Sequence, residues 1–229
     1  MMFSPNYDAR KAIPIDFIVI HGTWMQSAND ALSRLCDPES KVSCHYFIDE
    51  MGNIIQLVDD QYRAWHAGIS HWRGITDMNA CSLGIELQNN GDAPYQAQQI
   101  DALIQLCKKL QAHYNIPHSA LLGHSDIAPD RKDDPGVYFP WAALAKNKIG
   151  IFPDMDQLNH HIESLGEMTP AAMKDRLDDD LTQLGYDPQA RQRIHAFKSR
   201  YMPASVNNDP CPTALVIAGD LLRKQDRGG

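Results

Sequence analysis

Short apolar runs in the first part of the chain predict the strands of a sheet. Two of them, 16–20 (DFIVI) and 82–87 (SLGIEL), are rich in aliphatic residues, and their length and composition are typical of buried strands. A third run, 120–122, predicts a brief strand. Two further runs, 44–49 and 54–58, flank a Met-Gly-Asn turn and predict a β-hairpin.

Apolar residues that recur every three or four positions indicate helices. Residues 98–114 carry isoleucine and leucine at this spacing and predict a long amphipathic helix. Much later, Thr169-Pro170 is typical of a helix start, since a capping residue precedes proline at the first helical position. Three apolar helix faces follow it: Met173, Leu177, Leu181 and Leu184; Ala190, Ile194, Phe197 and Tyr201; Leu215, Ala218, Leu221 and Leu222.

These patterns predict an α/β fold in which helices flank a mixed central β-sheet, followed by a small all-α part. We expect a catalytic-type domain at 1–150, a polar connector at 151–168 and a three-helix module at 169–229. The module contains no cluster of reactive side chains. A chain that ends near Gly150 is therefore expected to keep its chemistry.

Composition narrows the class of protein. Of 229 residues 43% are hydrophobic, enough for a core, and no segment has the length of a membrane span. The net charge of −8 argues against a nucleic-acid partner. The five cysteines include no CxxC pair, which indicates reduced thiols. The absence of an export signal predicts a cytoplasmic protein, or a periplasmic or outer-membrane-associated one if a signal was trimmed. A monomer is expected.

The segment GHSDIAPDRKDDPG, residues 123–136, is the densest group of polar side chains. Its two prolines exclude a continuous helix, and Pro135 favours an extended conformation for Asp134. Because side chains two apart in extended chain share a face, Lys132 and Asp134 should point the same way, with Asp133 opposite. A carboxylate and an ammonium group that point to the same place indicate a functional role for this loop beyond solubility.

Three segments end in residues that zinc favours. His21 and His124 each follow a predicted strand, and Asp134 lies in the loop. Catalytic zinc is typically held by three nitrogen or oxygen ligands, with a fourth position for water. From spacing alone, two histidines that cap strands and one solvated aspartate remain the alternative.

Four segments in order resemble one family. IVIHGTW at 18–24, AWHAGISHWRG at 64–74, NACSLGIELQN at 79–89 and the 123–136 loop are similar to the type-2 family of N-acetylmuramoyl-L-alanine amidases. SHWRG and the tail segments LDDDLTQLGYDP and RIHAFKSRYMP resemble the branch with a C-terminal peptidoglycan-binding-like domain. The tail lacks parts of that pattern, so wall binding and a plain stabilising appendage both stay open.

The resemblance implies one zinc ion per chain, held by His21, His124 and Asp134. It also implies Glu86 as general base and then acid, and Lys132 as the group that stabilises the oxyanion. A solvated carboxylate on an edge strand is the alternative for Glu86. The register aligns Cys44 with the catalytic tyrosine of some distant relatives, so no catalytic tyrosine is assigned.

Other side chains receive lesser roles. The resemblance suggests that His66 lines the site and binds substrate, and a structural hydrogen bond is its alternative. Trp72, Arg73 and Asn79 are expected to line the groove, Arg73 being suited to the carboxylates of a peptide stem. The remaining loop carboxylates are expected to form turns or to be solvated; they are Asp126, Asp130 and Asp133.

The implied activity is zinc-dependent hydrolysis of the amide between N-acetylmuramic acid, or its anhydro form, and L-alanine of the stem peptide. The substrate would be peptidoglycan or a muropeptide, in cell-wall turnover or recycling. A non-catalytic peptidoglycan-recognition protein on the same fold is one alternative, but such proteins typically lose a metal ligand. A secreted lysin or toxin that degrades foreign walls is another.

Overall fold

The computed structural model describes residues 2–226, apart from the side chains at 157, 159, 160 and 226. Met1 and residues 227–229, at the outer ends of the two predicted domains, lie outside the described residues. The strands are β1 (Tyr7–Ala9), β2 (Phe17–Gly22), β3 (Tyr46–Ile48), β4 (Ile54–Gln56), β5 (Tyr62–Ala64), β6 (Ser82–Leu87) and β7 (Leu121–Gly123). The predicted hairpin is confirmed as the antiparallel pair β3–β4.

Five strands form a mixed sheet in the order β4-β3-β6-β2-β7, and β1 pairs with β5 in a separate ribbon. β3, β6, β2 and β7 run parallel, and β4 is antiparallel to β3. Every residue of β2 is buried, as expected for a strand with both faces covered. The mixed central sheet predicted from the sequence is therefore confirmed.

Helices pack around this sheet and continue into the tail. Within residues 2–226 they are α1 (Ala28–Cys36), α2 (Met78–Cys81), α3 (Ala97–Tyr114), α4 (His124–Ile127), α5 (Trp141–Lys146), α6 (Leu158–Ser164), α7 (Pro170–Leu184), α8 (Arg193–Tyr201) and α9 (Pro212–Asp226). The Thr169 hydroxyl caps α7 by accepting from the Ala172 amide, which confirms the predicted start of that helix. Among these helices none combines the length and the apolar character needed to cross a bilayer.

The strand register fixes where the site forms. His21 on β2 lies opposite Glu86 on β6, and Ile20 lies opposite Gly123, the last residue of β7. The carboxyl ends of three parallel strands therefore meet at one edge of the sheet, which is where ligands bind in open α/β sheets. The structure places His21 within β2, one residue before its end, and not after it as the sequence predicted.

The connector contains a helix that the sequence analysis did not predict. In and just after α6, Leu158, Ile162 and Leu165 recur at helical spacing and pack on the core, and α6 contacts α9. The polar residues between them masked this short face, because three apolar positions in eight residues are a weak signal.

One continuous apolar core joins the sheet to the tail. Leu177 and Leu181 of α7 and Phe197 of α8 are fully buried in the same cluster as the strand residues. Trp72 meets Tyr186 edge-on, with ring centroids 5.0 Å apart. The tail helices therefore share their apolar contacts with the sheet-containing part.

Candidate metal centre and active site

Three buried side chains converge at the carboxyl edge of the sheet. His21 Nδ1 lies 3.0 Å from His124 Nδ1, which lies 3.1 Å from Asp134 Oδ2. The third side of the triangle, from His21 Nδ1 to Asp134 Oδ2, is 3.4 Å. Tetrahedral zinc, with bonds of about 2.0–2.1 Å, separates its ligand atoms by roughly 3.3 Å. The three atoms thus fit one face of a tetrahedral site.

The far nitrogens of both histidines are also positioned. His124 Nε2 lies 3.2 Å from the Ala67 carbonyl, and His21 Nε2 lies 3.1 Å from His66 Nδ1. If each Nε2 carries the proton and donates it, both Nδ1 lone pairs face the centre of the triangle. An acceptor behind a histidine ligand is the usual way in which proteins fix its tautomer and ring orientation.

His66 is itself held by a short chain of hydrogen bonds. Its Nε2 lies 3.2 Å from Ser82 Oγ, and the Ser82 hydroxyl donates to the Met78 carbonyl at 2.5 Å. Because that hydroxyl proton is used, Ser82 accepts from His66, which leaves His66 Nδ1 free to accept from His21. A Cβ on Gly84 would lie 2.3 Å from the His66 ring, so only glycine lets the ring lie there. This geometry supports the structural alternative for His66, which also lines the pocket.

Burial and neighbouring charges set the protonation of the side chains in and behind the triangle. Burial, with the neighbouring His124, lowers the pKa of His21 to about 4. Burial also lowers the pKa of His66 well below its ordinary value. Burial opposes the ionisation of Asp134, but the charge and hydrogen bonds of His124 and His21 outweigh it and lower the pKa of that carboxyl. At neutral pH the site thus offers neutral imidazole from His21 and a carboxylate, the forms that bind metals.

Glu86 stands beside this group. Its Oε2 is buried and has no hydrogen-bond partner within residues 2–226. Burial, followed by the charge of Asp134, raises the pKa of Glu86 to about 8. Because β6 is the central strand of the sheet, the solvated edge-strand alternative does not hold. A buried, unpaired carboxyl with a raised pKa in a cleft is a typical candidate for proton transfer.

A cleft of about 140 Å³ gives access to these groups. Lys132 and Asp134 both line it, whereas Asp133 points to His195, with 3.8 Å between its Oδ1 and Nδ1. The alternation predicted for the loop is therefore present. The other lining residues come mainly from the end of β2, from α1 and from the segments around residues 42–43 and 65–66; they are Gly22, Thr23, Met25, Ala31, Arg34, Leu35, Val42, Ser43, Trp65, His66, Glu86 and His124.

The positions of Trp72, Arg73 and Asn79 correct the expectation that they line this groove. Trp72 is buried against Tyr186 of the tail, and the Arg73 Nε atom donates to the Leu184 carbonyl at 3.4 Å. The Asn79 side chain is buried too. Its Oδ1 accepts from the His66 and Ala67 amides, at 3.0 and 2.8 Å, and so supports the segment behind the ligands.

Asp126 also departs from expectation. It does form a turn, because its Oδ2 accepts from the Gly123 amide at 2.7 Å, but its side chain is fully buried and not solvated. Arg200 of α8 forms an ion pair with it, and the Tyr186 hydroxyl donates to its Oδ1 at 2.6 Å. Sequence reasoning missed these partners, since 60 and 74 residues separate them from Asp126.

A family profile described as N-acetylmuramoyl-L-alanine amidase matches residues 11–137. Among curated proteins, the N-acetylmuramoyl-L-alanine amidase AmiD of Escherichia coli is 38% identical over 240 residues, which cover 94% of this chain and 86% of AmiD. The 1,6-anhydro-N-acetylmuramyl-L-alanine amidase AmpD of the same species is 35% identical over 164 residues, 61% of this chain and 86% of AmpD.

Solved structures agree with this likeness. E. coli AmiD in complex with the substrate anhydro-N-acetylmuramic acid-L-Ala-D-gamma-Glu-L-Lys superposes with a TM-score of 0.84 at 37% identity, over 95% of this chain and 92% of that one. AMPDH3 from Pseudomonas aeruginosa in complex with anhydromuramic pentapeptide gives a TM-score of 0.83 at 26% identity, over 98% of this chain and 96% of that one.

Proposed function

The chain belongs to the N-acetylmuramoyl-L-alanine amidase family, and from this premise we propose that it hydrolyses the amide between N-acetylmuramic acid, or its anhydro form, and L-alanine of the stem peptide. The observation that carries the proposal is the buried triangle of His21, His124 and Asp134 beside the unpaired carboxyl of Glu86. A protein that only recognises peptidoglycan would not need both a complete metal triangle and a buried, unpaired carboxyl beside it.

The resident metal in this proposal is one zinc ion, held by His21 Nδ1, His124 Nδ1 and Asp134 Oδ2. The distances between these two imidazole nitrogens and one carboxylate oxygen suit zinc, which favours two imidazoles with a carboxylate in hydrolases. When bound, zinc supplies Lewis-acid polarisation of a carbonyl and makes water a better acid at neutral pH.

Glu86 and Lys132 carry the proton and charge steps. A zinc cation held by the triangle would favour the ionised form of Glu86. Its Oε2, which is buried and without a partner in the described chain, would then take the proton from the attacking water. The same oxygen then gives that proton to the nitrogen of the leaving L-alanine. Lys132 lines the same cleft, and its ammonium stabilises the negative charge that develops on the carbonyl oxygen.

The tail is proposed to be the peptidoglycan-binding-like domain of the longer family branch. The alignment with AmiD covers 94% of this chain and so includes most of the tail. Its apolar contacts with the sheet support a second, stabilising role. Intact wall and soluble anhydromuropeptide are both proposed substrates.

Product analysis tests the activity. The metal-loaded protein is incubated with an anhydromuropeptide and, separately, with intact wall, each with and without a chelator. We expect mass spectrometry to detect free stem peptide that begins with L-alanine, and its release to stop after chelation. Cleavage at another bond, or no cleavage by protein with full zinc content, would refute the proposed function.

A further inference from the structure

Trp24 is a large aromatic side chain left in water at the rim of the cleft. It follows His21 by three residues, its neighbours Thr23 and Met25 line the cleft, and 44% of its own surface is exposed. Its indole Nε1 has no hydrogen-bond partner among residues 2–226. An exposed tryptophan does not give the fold the stabilisation that a buried one would give.

The backbone holds Trp24 in a strained conformation. Its φ is +48°, in the left-handed region that costs free energy for a residue with a Cβ. Hydrogen bonds fix the chain on both sides. The Thr23 amide donates to the Leu87 carbonyl at 3.0 Å, and the Gln88 side-chain amide donates to the Met25 carbonyl at 2.7 Å. Such strain persists only where surrounding contacts enforce it, and it often marks a ligand contact.

The backbone of three glycines lies close to the indole ring. A Cβ on Gly91 would lie 3.0 Å from Trp24 Cδ1, and one on Gly22 or Gly136 would lie 3.4 or 3.5 Å from the ring. Gly91 has φ of +93°, and its amide donates to Asn89 Oδ1 at 2.7 Å, which fixes the turn beneath the ring. The backbone thus approaches the indole closely at three points, while 44% of the surface of the tryptophan stays exposed to solvent.

We propose that Trp24 is the platform on which the pyranose ring of the muramyl residue stacks during hydrolysis, an inference that rests on the proposed function. One face of a pyranose presents C–H groups that pack on a flat aromatic ring, and the free Nε1–H can donate to a sugar oxygen. The position fits, because Gly22 follows His21 and Gly136 lies two residues after Asp134. The scissile lactyl carbonyl is joined to the sugar by a short ether link, so the sugar must lie beside the metal ligands.

The test compares two substrates that share the scissile bond. One is the muramyl peptide, and the other is the D-lactoyl peptide with the same stem but no sugar ring. We expect Trp24→Ala to lower kcat/KM for the muramyl peptide by roughly 5- to 10-fold, mainly through KM, and to leave the lactoyl peptide unaffected. Trp24→Tyr keeps a flat ring and should stay within about threefold of wild type on both.

Phe3→Ala is the matched control, since it removes an exposed aromatic ring (61%) that does not line the cleft. It should leave both substrates unaffected. Equal loss on both substrates by Trp24→Ala, or no loss on the muramyl peptide, would overturn the platform. A zinc-loaded wild-type protein that cleaves neither substrate would instead refute the proposed function.

Discussion

Glu86 Oε2 is buried beside the His21–His124–Asp134 triangle and has no partner in the described chain. The proposed proton transfer therefore depends on this one carboxyl. Glu86→Gln keeps the shape of the side chain but cannot take a proton from water. We expect single-turnover hydrolysis to slow by about 10²–10⁴-fold while zinc content stays at one per chain. Glu39→Gln, an exposed carboxylate elsewhere, should retain the wild-type rate. Fast turnover by fully metallated Glu86→Gln would assign the proton to another group.

The raised pKa of Glu86 also predicts how pH affects the metal-free protein. The pKa of this carboxyl is about 8 in the folded state against an ordinary 4.5, so between these values the folded chain keeps a proton that the unfolded chain releases. Its favourable contribution to the free energy of unfolding is therefore complete below pH 4.5 and is lost as pH rises to 8. Glutamine has no such loss.

Urea unfolding in the presence of a chelator measures this effect. The free energy of unfolding of Glu86→Gln, relative to wild type, should rise between pH 5 and pH 8 by on the order of 3 kcal/mol. The buried histidines shift both proteins alike and cancel in the difference. Parallel pH curves for the two proteins would mean that Glu86 titrates normally.

Ser82 tests the support behind the ligands. Ser82→Ala removes the acceptor for His66 Nε2–H and so weakens the orientation of His21. We expect zinc affinity to fall by about 10–100-fold, the usual effect of losing such a contact. Competition with a chromogenic chelator measures it, and Ser33→Ala, an exposed serine on α1, is the control. Unchanged affinity would show that the His66 chain does not position the metal ligand.

For single residues, the sequence predicted the candidate site well where the site depends on the ends of strands. The triangle could be proposed because His21 lies near the end of β2 and His124 directly follows β7, and because the family resemblance implied all three residues of the triangle as ligands. Trp72 and Arg73 could not be placed, because a motif does not say which face packs on a tail more than a hundred residues later. The burial of Asp126 could not be predicted from the sequence either, because its charged partner lies on α8.

At the level of elements, hydrogen bonds from the tail hold α4 and the loop after it in place. The Tyr186 hydroxyl donates to the buried Asp126 carboxylate two residues after His124, and the Gln192 amide donates to Asp130 at 2.7 Å. Tyr186→Phe should lower the free energy of unfolding by about 1–3 kcal/mol, because a buried acceptor loses a donor. Denaturant titration measures it, with the exposed Tyr138→Phe as control. Equal stabilities would mean that the remaining partners suffice.

Element prediction succeeded where periodicity is long and unbroken. β6 has the predicted bounds, and α3 begins one residue before the predicted helix, because aliphatic runs and an eighteen-residue amphipathic pattern are strong signals. The helix α6 escaped prediction because packing against α9, rather than local pattern, stabilises it. Short helices generally depend on such tertiary contacts.

Over the whole molecule, the shared core changes the expectation for a shortened chain. A chain that ends near Gly150 would leave Asp126 buried without Arg200 and Tyr186, and would expose the face of Trp72. Breaking a buried ion pair by removing one partner costs about 3–5 kcal/mol. We therefore expect the shortened chain to lose activity on soluble muropeptides and on wall together, with a lower melting temperature.

Rates on both substrates, measured with the full chain as reference, decide this. Retention of the soluble activity by a folded, zinc-loaded 1–150 chain would show that the tail is dispensable for chemistry. A full chain with Asp178→Asn is a useful comparison, because it loosens a partly buried ion pair with Arg193 inside the tail and leaves the Asp126 contacts in place.

The Arg200–Asp126 pair has a consequence for recombination between relatives. The Asp126 carboxylate, two positions after His124, is neutralised by a cation 74 residues away, so a functional recombinant needs both residues from the same parent or both introduced together. A chimera that joins residues 1–150 to the tail of a relative would leave Asp126 as an unpaired buried charge beside the candidate active site. Restoring an arginine and a tyrosine at the positions of Arg200 and Tyr186 would be the first repair to attempt.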